Sequence, residues 1–277
     1  MTEVRIGHSP DPDDAFLFYA MTQGKIPMQG ISVRHCLKGI EELNQEVLRG
    51  DLEMTAISLH AYAHCSDRYL LLRTGASVGE GYGPVIVSRD PLTVEELARQ
   101  EIAVPGKLTT ATLLLQLAVG AEKLRVMPFD KILEAVRQGE VPAGVLIHEG
   151  QITFQDHGLK KVLDLGEWWQ RKTGLPVPLG VNVVRRDLGE DLVRRLASLF
   201  RQSLDYAFAH RAEALDYAQR FGRGLDSRRT ERFVGMYVNR WSLDCMPDGA
   251  TAMQRLLDWA AEEGRIPARV PVEFVRE

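Results

Sequence analysis

The sequence predicts an α/β fold made of two halves, with a helical C-terminal third, and three observations carry that reading. Short apolar runs alternate with helix-period segments from residue 4 to residue 184. One pattern occurs twice: a helix ends at glycine, an acid follows, and a short strand stops at a polar side chain, from Gly50 to Ser58 and again from Gly139 to His148. A common helix-to-strand turn would give the same pattern by coincidence. From Leu188 onward the period is helical, with Leu192, Leu196, Leu199, Phe200 and Leu204 along one face.

In chain order, 4–8 is the first strand. It delivers the chain to Ser9-Pro10-Asp11-Pro12-Asp13-Asp14, where Asp11 suits the N-cap and Pro12 the first position of an apolar helix. Asp13 and Asp14 complement that helix dipole, so the junction is expected to bind hydroxyls or a neutral polar group rather than an anion. Strand 31–35, helix 40–48 and strand 54–58 follow, then strands at 69–72 and 84–88. The glycine-rich stretch 75–83 has no helix after it in phosphate-loop register and reads as a hairpin or hinge loop near a domain boundary.

The second lobe starts near Arg89, with a short helix over 93–100 and a strand over 101–104. Next come the turn Gly106-Lys107-Leu108-Thr109-Thr110 and an apolar helix at 111–119 whose start carries no acid. Free amides, two hydroxyls and Lys107 there suit a carboxylate, and Thr109 also suits an N-cap. Strand 124–127, helix 129–138 and the run 143–148 come next, then strands at 151–156 and 160–164 and a helical turn at 167–170. Trp168 and Trp169 suit either stacking on a flat ligand or core packing. Strand 180–184 returns the chain to the first lobe, and helices over 212–221, 228–238 and 249–262 precede 267–271, where regular structure ends. The expected lobes are 1–88 with 182–277, and 89–181.

Open α/β sheets collect ligands beyond the carboxyl ends of their strands, and the run 143–148 stops at His148. With an unperturbed pKa of about 6.5, a histidine has both proton forms available near neutral pH and suits a general base. A core histidine bonded to backbone fits the same position. Glu149, adjacent on a strand, would face the other side and is given no role.

The chain has 277 residues, 45% of them apolar and 26% charged, with a formal net charge of −4, ordinary values for a globular protein with a full core. Acids interleave the clusters Arg185-Arg186, Arg194-Arg195 and Arg228-Arg229 as on solvated helix faces, so no nucleic-acid partner is expected. Cys36, Cys65 and Cys245 lie far apart without metal-ligand spacing, which fits a reducing compartment and no metal. The chain passes almost at once from Met1 into a strand, without a charged and then apolar leader, and its apolar run 113–119 is too short to span a membrane. A cytoplasmic location and no membrane partner are expected, and nothing here fixes an oligomeric state.

Several separated motifs, in order along nearly the whole chain, resemble the 1,4-dihydroxy-6-naphthoate synthase family of the futalosine route to menaquinone. They are residues 8–16, 106–110, Leu146-Ile147-His148-Glu149, 175–180 and Tyr237-Val238-Asn239. The resemblance implies a type II periplasmic-binding-protein-like fold, two lobes around a central cleft joined by two crossing segments. It implies a lyase that takes cyclic dehypoxanthine futalosine to 1,4-dihydroxy-6-naphthoate, an aromatic carboxylate, without a cofactor. His148 matches the family's base, and Ser58, Thr109 and Thr110 match its substrate contacts. Asp13 stands where many members have asparagine, and Ala56 where a lysine is frequent, which marks a divergent branch. Two rivals are a chorismate dehydratase-type lyase of the same fold and a solute-binding protein without chemistry.

Overall fold

In the computed structural model, which describes residues 2–276, the strands form two mixed sheets, one of six strands and one of five. In chain order, β1 (Thr2–His8), β2 (Ile31–Leu37), β3 (Met54–Ser58), β4 (Tyr69–Leu71) and β5 (Ser77–Gly79) precede the first crossing. β6 (Val85–Ser88), β7 (Ile102–Val104), β8 (Leu124–Val126), β9 (Ala143–Leu146) and β10 (Lys160–Asp164) follow it, and β11 (Val177–Arg185) comes after the return.

The first sheet runs β2-β1-β3-β11-β4, with β5 also paired to β11, and the second runs β10-β6-β9-β7-β8. β1 is parallel to β2 and β3, while β11 lies antiparallel beside β3. The second sheet repeats the plan: β7 is parallel to β8 and β9, and β6 lies antiparallel beside β9. β3 and β9 therefore hold equivalent places. Each is entered from a helix closed by a left-handed glycine, Gly50 at φ 77° and Gly139 at φ 79°, a conformation that costs other residues energy. The twice-written sequence pattern thus marks two matching corners of the fold.

Sheet pairing sets the joints a few residues earlier than the expected lobes. Residues 85–88 are hydrogen-bonded between β10 and β9, inside the second sheet, and 177–181 already run in the first. Composition carries no signal for this, because both strands are apolar on either side of a crossing. Glycines allow close packing at the first crossing: a Cβ on Gly166, at the start of the helix Leu165–Thr173 against it, would lie 2.1 Å from the carbonyl of Tyr82, and one on Gly79 would meet the same oxygen at 2.1 Å.

The helix Glu190–Ala209 buries Val193, Leu196, Leu199, Phe200 and Leu204 against Val4, Ile6, Phe16 and Phe18 of the first lobe. Each such buried side chain contributes about 1.5–3 kcal/mol, which fixes the helical third to that lobe. The helix Asp248–Glu262 brings Trp259 onto Trp168 and Trp169, at ring distances of 5.5 and 5.8 Å. Both tryptophans are buried, so they pack the core rather than a ligand.

One expected strand is a helix. Residues 151–156 form a helical turn, Gly150–Thr153, and then the 3-10 turn Phe154–His157. The amide of Gln151 donates to His148 O at 2.8 Å and that of Ile152 to Glu149 O at 3.0 Å. Local turn bonds thus take the place of a ladder, and sheet pairing stops at Leu146.

Candidate active site

The two lobes meet at the crossing over a cleft with about 740 Å³ of empty space, the solvent at its mouth included. Its first-lobe wall holds the turn from Ser9 to Asp14, with Ala56 and Ser58 of β3. Across from it stand Thr109, Thr110 and Ala111 at a helix start, with Ile147 and Gln151 past the end of β9. Leu179 to Asn182 of β11 contribute between them, and Tyr237 comes from the helical third. Bonds bridge the lobes around the cavity. Leu108 N–H donates to Glu41 Oε2 at 3.2 Å, His60 N–H to Thr110 Oγ1 at 3.2 Å, and Tyr237 OH to Gln151 Oε1 at 2.5 Å.

Asp11, Asp13 and Asp14 all line the cavity. Pro12 opens the helix Pro12–Leu17, and Asp14 folds back so that its Oδ2 accepts the Ser9 amide at 2.7 Å. Burial pushes the Asp13 carboxyl well above its usual range, with the charges of Asp14 and Asp11 adding to the effect. Burial likewise lifts Asp14 from 3.8 to about 6, against the opposing pull of the Ser9 bond.

That shift has a consequence for stability. Asp14 binds its proton more tightly folded than unfolded, so its contribution is fully present below the unfolded value and is lost as pH rises through about 6. The penalty at high pH is up to roughly 3 kcal/mol. Asp14→Asn keeps an oxygen for Ser9 and cannot ionise. It is expected to raise the unfolding free energy at pH 8 by up to roughly 3 kcal/mol and to change it little near pH 4. Denaturant unfolding at the two pH values checks this, and an equal effect at both would contradict it.

Ser58 is held in place by Asn44, whose Oδ1 accepts the Ser58 amide at 2.9 Å while its Nδ2 donates to Ser58 Oγ at 3.2 Å. Thr109 and Thr110 also line the cavity, but their hydroxyls are committed elsewhere. Thr109 Oγ1 donates to Gly106 O at 2.9 Å and caps Thr112 N–H at 3.3 Å, and Thr110 Oγ1 donates to Leu179 O at 2.6 Å. The donors left to a ligand are the first-turn amides of Thr110 and Ala111, which have no acceptor within their helix. Lys107 is exposed and outside the lining, since the turn points it to solvent. An acid does reach this helix start, from the other lobe: Glu41 takes the Leu108 amide. Among the described residues that line the cavity there is no lysine, arginine or histidine.

His148 is buried one residue past Ile147 and does not itself line the cavity. Its Nδ1 accepts the Gly150 amide at 2.9 Å, so Nε2 carries the hydrogen and donates to Phe129 O at 2.8 Å. Glu149, set aside as facing the opposite side of a strand, is brought to the same ring: the strand has already ended, and its Oε2 lies 3.6 Å from His148 Nδ1. Sequence reasoning also passed over Gln151, because it was read as strand, and Asn182, which lies mid-strand opposite Ala56. Asn182 Nδ2 donates to Gly75 O at 2.9 Å, and its buried Oδ1 has no hydrogen-bond partner. The pairing of Asn182 with Ala56 puts a polar amide beside a small apolar residue on the cavity wall.

Two α/β lobes joined by crossing strands around a central cavity define a protein of the periplasmic-binding-protein fold. A Candida albicans protein described as having that generic fold matches at a TM-score of 0.70 and 13% identity, over 100% of this chain and 98% of its own. The match is far closer to a crystal structure from Archaeoglobus fulgidus, with a TM-score of 0.91 and 45% identity over 95% of this chain and 98% of that one. The family model described as menaquinone biosynthesis covers residues 4–262. The 1,4-dihydroxy-6-naphthoate synthase of Thermus thermophilus is 44% identical over 265 residues, 95% of this chain and 96% of that protein. The chain belongs to the menaquinone biosynthesis family and is an enzyme related to its 1,4-dihydroxy-6-naphthoate synthases. No helix among the described residues is long and apolar enough to cross a membrane.

Proposed function

We propose that the protein is a cytoplasmic lyase that converts cyclic dehypoxanthine futalosine to 1,4-dihydroxy-6-naphthoate, with the interlobe cavity as its active site. The observation that carries this reading is the division of the cavity wall. One side offers the Thr110 and Ala111 amides at a helix start, suited to a carboxylate. The other offers Ser58, Asp13 and Asp14, suited to hydroxyls, with Asn182 Oδ1 as a further acceptor. A carboxylate held by amides needs no cation, which accommodates the absence of one from the lining.

His148 is the proposed base. Its lone pair is at Nδ1, held on the Gly150 amide behind Ile147 and Gln151; opening of the turn after β9 would bring Nδ1 into the cavity, where exchanging that amide for a proton of the sugar-derived part of the substrate would start the cleavage. Phe129 O keeps Nε2–H in place, and Glu149 at 3.6 Å would stabilise the cation formed at the ring. Loss of the sugar-derived fragment as the second ring becomes aromatic drives the reaction, while closed lobes keep water from the intermediate. Incubation of the purified protein with cyclic dehypoxanthine futalosine, followed by chromatography and mass, is expected to yield the naphthoate. Chorismate run in parallel is expected to remain unchanged; consumption of chorismate without naphthoate formation would overturn the assignment.

A further inference from the structure

Arg223 sits in the link between the helices Arg211–Gln219 and Ser227–Tyr237, flanked by Gly222 and Gly224. Its φ of 44° lies in the left-handed region, a conformation that bulky residues keep only where the surroundings demand it. Those surroundings come from both lobes. From the first, Asp11 Oδ1 lies 2.6 Å from Nη2, which also donates to Pro10 O at 3.3 Å. From the second, Nη1 donates to both oxygens of Glu149 at 3.2 Å, and the guanidinium lies 4.9 Å from the centre of the Phe129 ring.

We infer that Arg223 is the latch of the cleft, a positioning residue that holds the lobes together over the cavity and fixes the Glu149 carboxylate beside His148. The second half of this inference rests on the proposed role of His148. Four partners on one side chain distinguish Arg223 from the solvated ion pairs of the surface. The Arg223 side chain is itself 31% exposed, but those of Asp11 and Glu149 are only 17% and 12% exposed, so salt screens this cluster less than a pair with both partners in solvent. The planar fork explains the residue type: one edge serves Glu149, another serves Asp11 and Pro10, and the face covers Phe129. A lysine ammonium cannot meet all of these at once. The link also joins the helical third to the site, because the helix that follows it carries Tyr237 to Gln151 on the cavity wall.

Two measurements on the full chain test the latch. In the ligand-free protein, Arg223→Gln is expected to speed backbone hydrogen exchange about 10-fold or more in 147–153 and 220–226, leaving the strands of both sheets unchanged. Unchanged exchange in 147–153 would overturn the latch, whatever the enzyme's substrate. In turnover of cyclic dehypoxanthine futalosine, Arg223→Gln is expected to lower kcat about 10- to 100-fold and to raise KM, with Arg223→Lys recovering only part of the loss. Glu149→Gln should lower kcat as well, and the double variant should be no slower than the slower single one, since both remove one interaction. Fully additive losses, or normal kinetics in a folded Arg223→Gln protein, would remove Arg223 from positioning. Faster exchange in the variant, with no turnover even by the wild type, would refute the assigned reaction and leave the latch standing.

Discussion

His148→Ala is expected to lower kcat by about 10²–10⁴-fold, the usual worth of a general base, with KM little changed. The small KM effect is expected because the ring stands behind Ile147 and Gln151 in the ligand-free protein and, once the turn after β9 opens toward the cavity, meets only the proton it removes rather than the groups that bind the substrate. The fold should survive. Removing the imidazole leaves the Gly150 amide and the Phe129 carbonyl without their partner, which costs about 1–3 kcal/mol against the roughly 5–15 kcal/mol typical of a folded domain. Thermal unfolding beside steady-state kinetics separates the two effects. Near-normal kcat in a folded variant would mean that this histidine only holds the turn after β9.

Gly166→Ala is expected to destabilise the joint between the lobes strongly, by about 3 kcal/mol or more. The new Cβ would lie 2.1 Å from the carbonyl carbon and oxygen of Tyr82 and 2.4 Å from the amide nitrogen of Gly83. All three are backbone atoms, so no side-chain rotation relieves the overlap. Either the crossing 80–84 or the start of the helix Leu165–Thr173 has to move. A shift of the helix also strains its cap, where Asp164 Oδ1 accepts the Gly166 and Glu167 amides at 2.8 and 3.0 Å, an interaction worth about 1 kcal/mol. Gly235→Ala is the control. A Cβ there meets nothing within 4 Å on the helix Ser227–Tyr237, so it should stabilise by up to about 1 kcal/mol. A Gly166→Ala protein that unfolds with the wild type would show that the crossing yields easily.

What the sequence disclosed was local. Apolar runs of four to six residues and glycine-closed helices gave most of the strands in order, without Ser77–Gly79 inside the glycine-rich stretch, and the Gly50 and Gly139 endings suggested two equivalent corners that a common turn would also explain. The cavity turn was legible for the same reason: Asp11 takes the N-cap position and Pro12 the first helical one, although the Asp11 carboxylate makes no cap bond and turns to Arg223 instead. Partners far apart in the chain were not legible. Glu41 reaches the Leu108 amide across 67 positions, and Arg223 reaches Glu149 across 74. Nothing near Leu108 announces an acid. Lys107 stands beside the acid-free helix start in sequence, but the turn directs it to solvent. Glu149 was judged by strand alternation, which fails one turn after the strand stops. Tyr237 stood in a motif that carried the family resemblance, yet its bond to Gln151 depends on how the helical third packs.

The most direct test of the active-site assignment is a crystal structure of the protein with 1,4-dihydroxy-6-naphthoate. The naphthoate is expected between Ser58 and the helix start at Thr110, its carboxylate on the Thr110 and Ala111 amides and a ring hydroxyl toward Asp14 or Asn182. The product bound outside the interlobe cavity, or inside it with its carboxylate turned to the aspartates, would contradict the division of the wall on which the proposed chemistry rests.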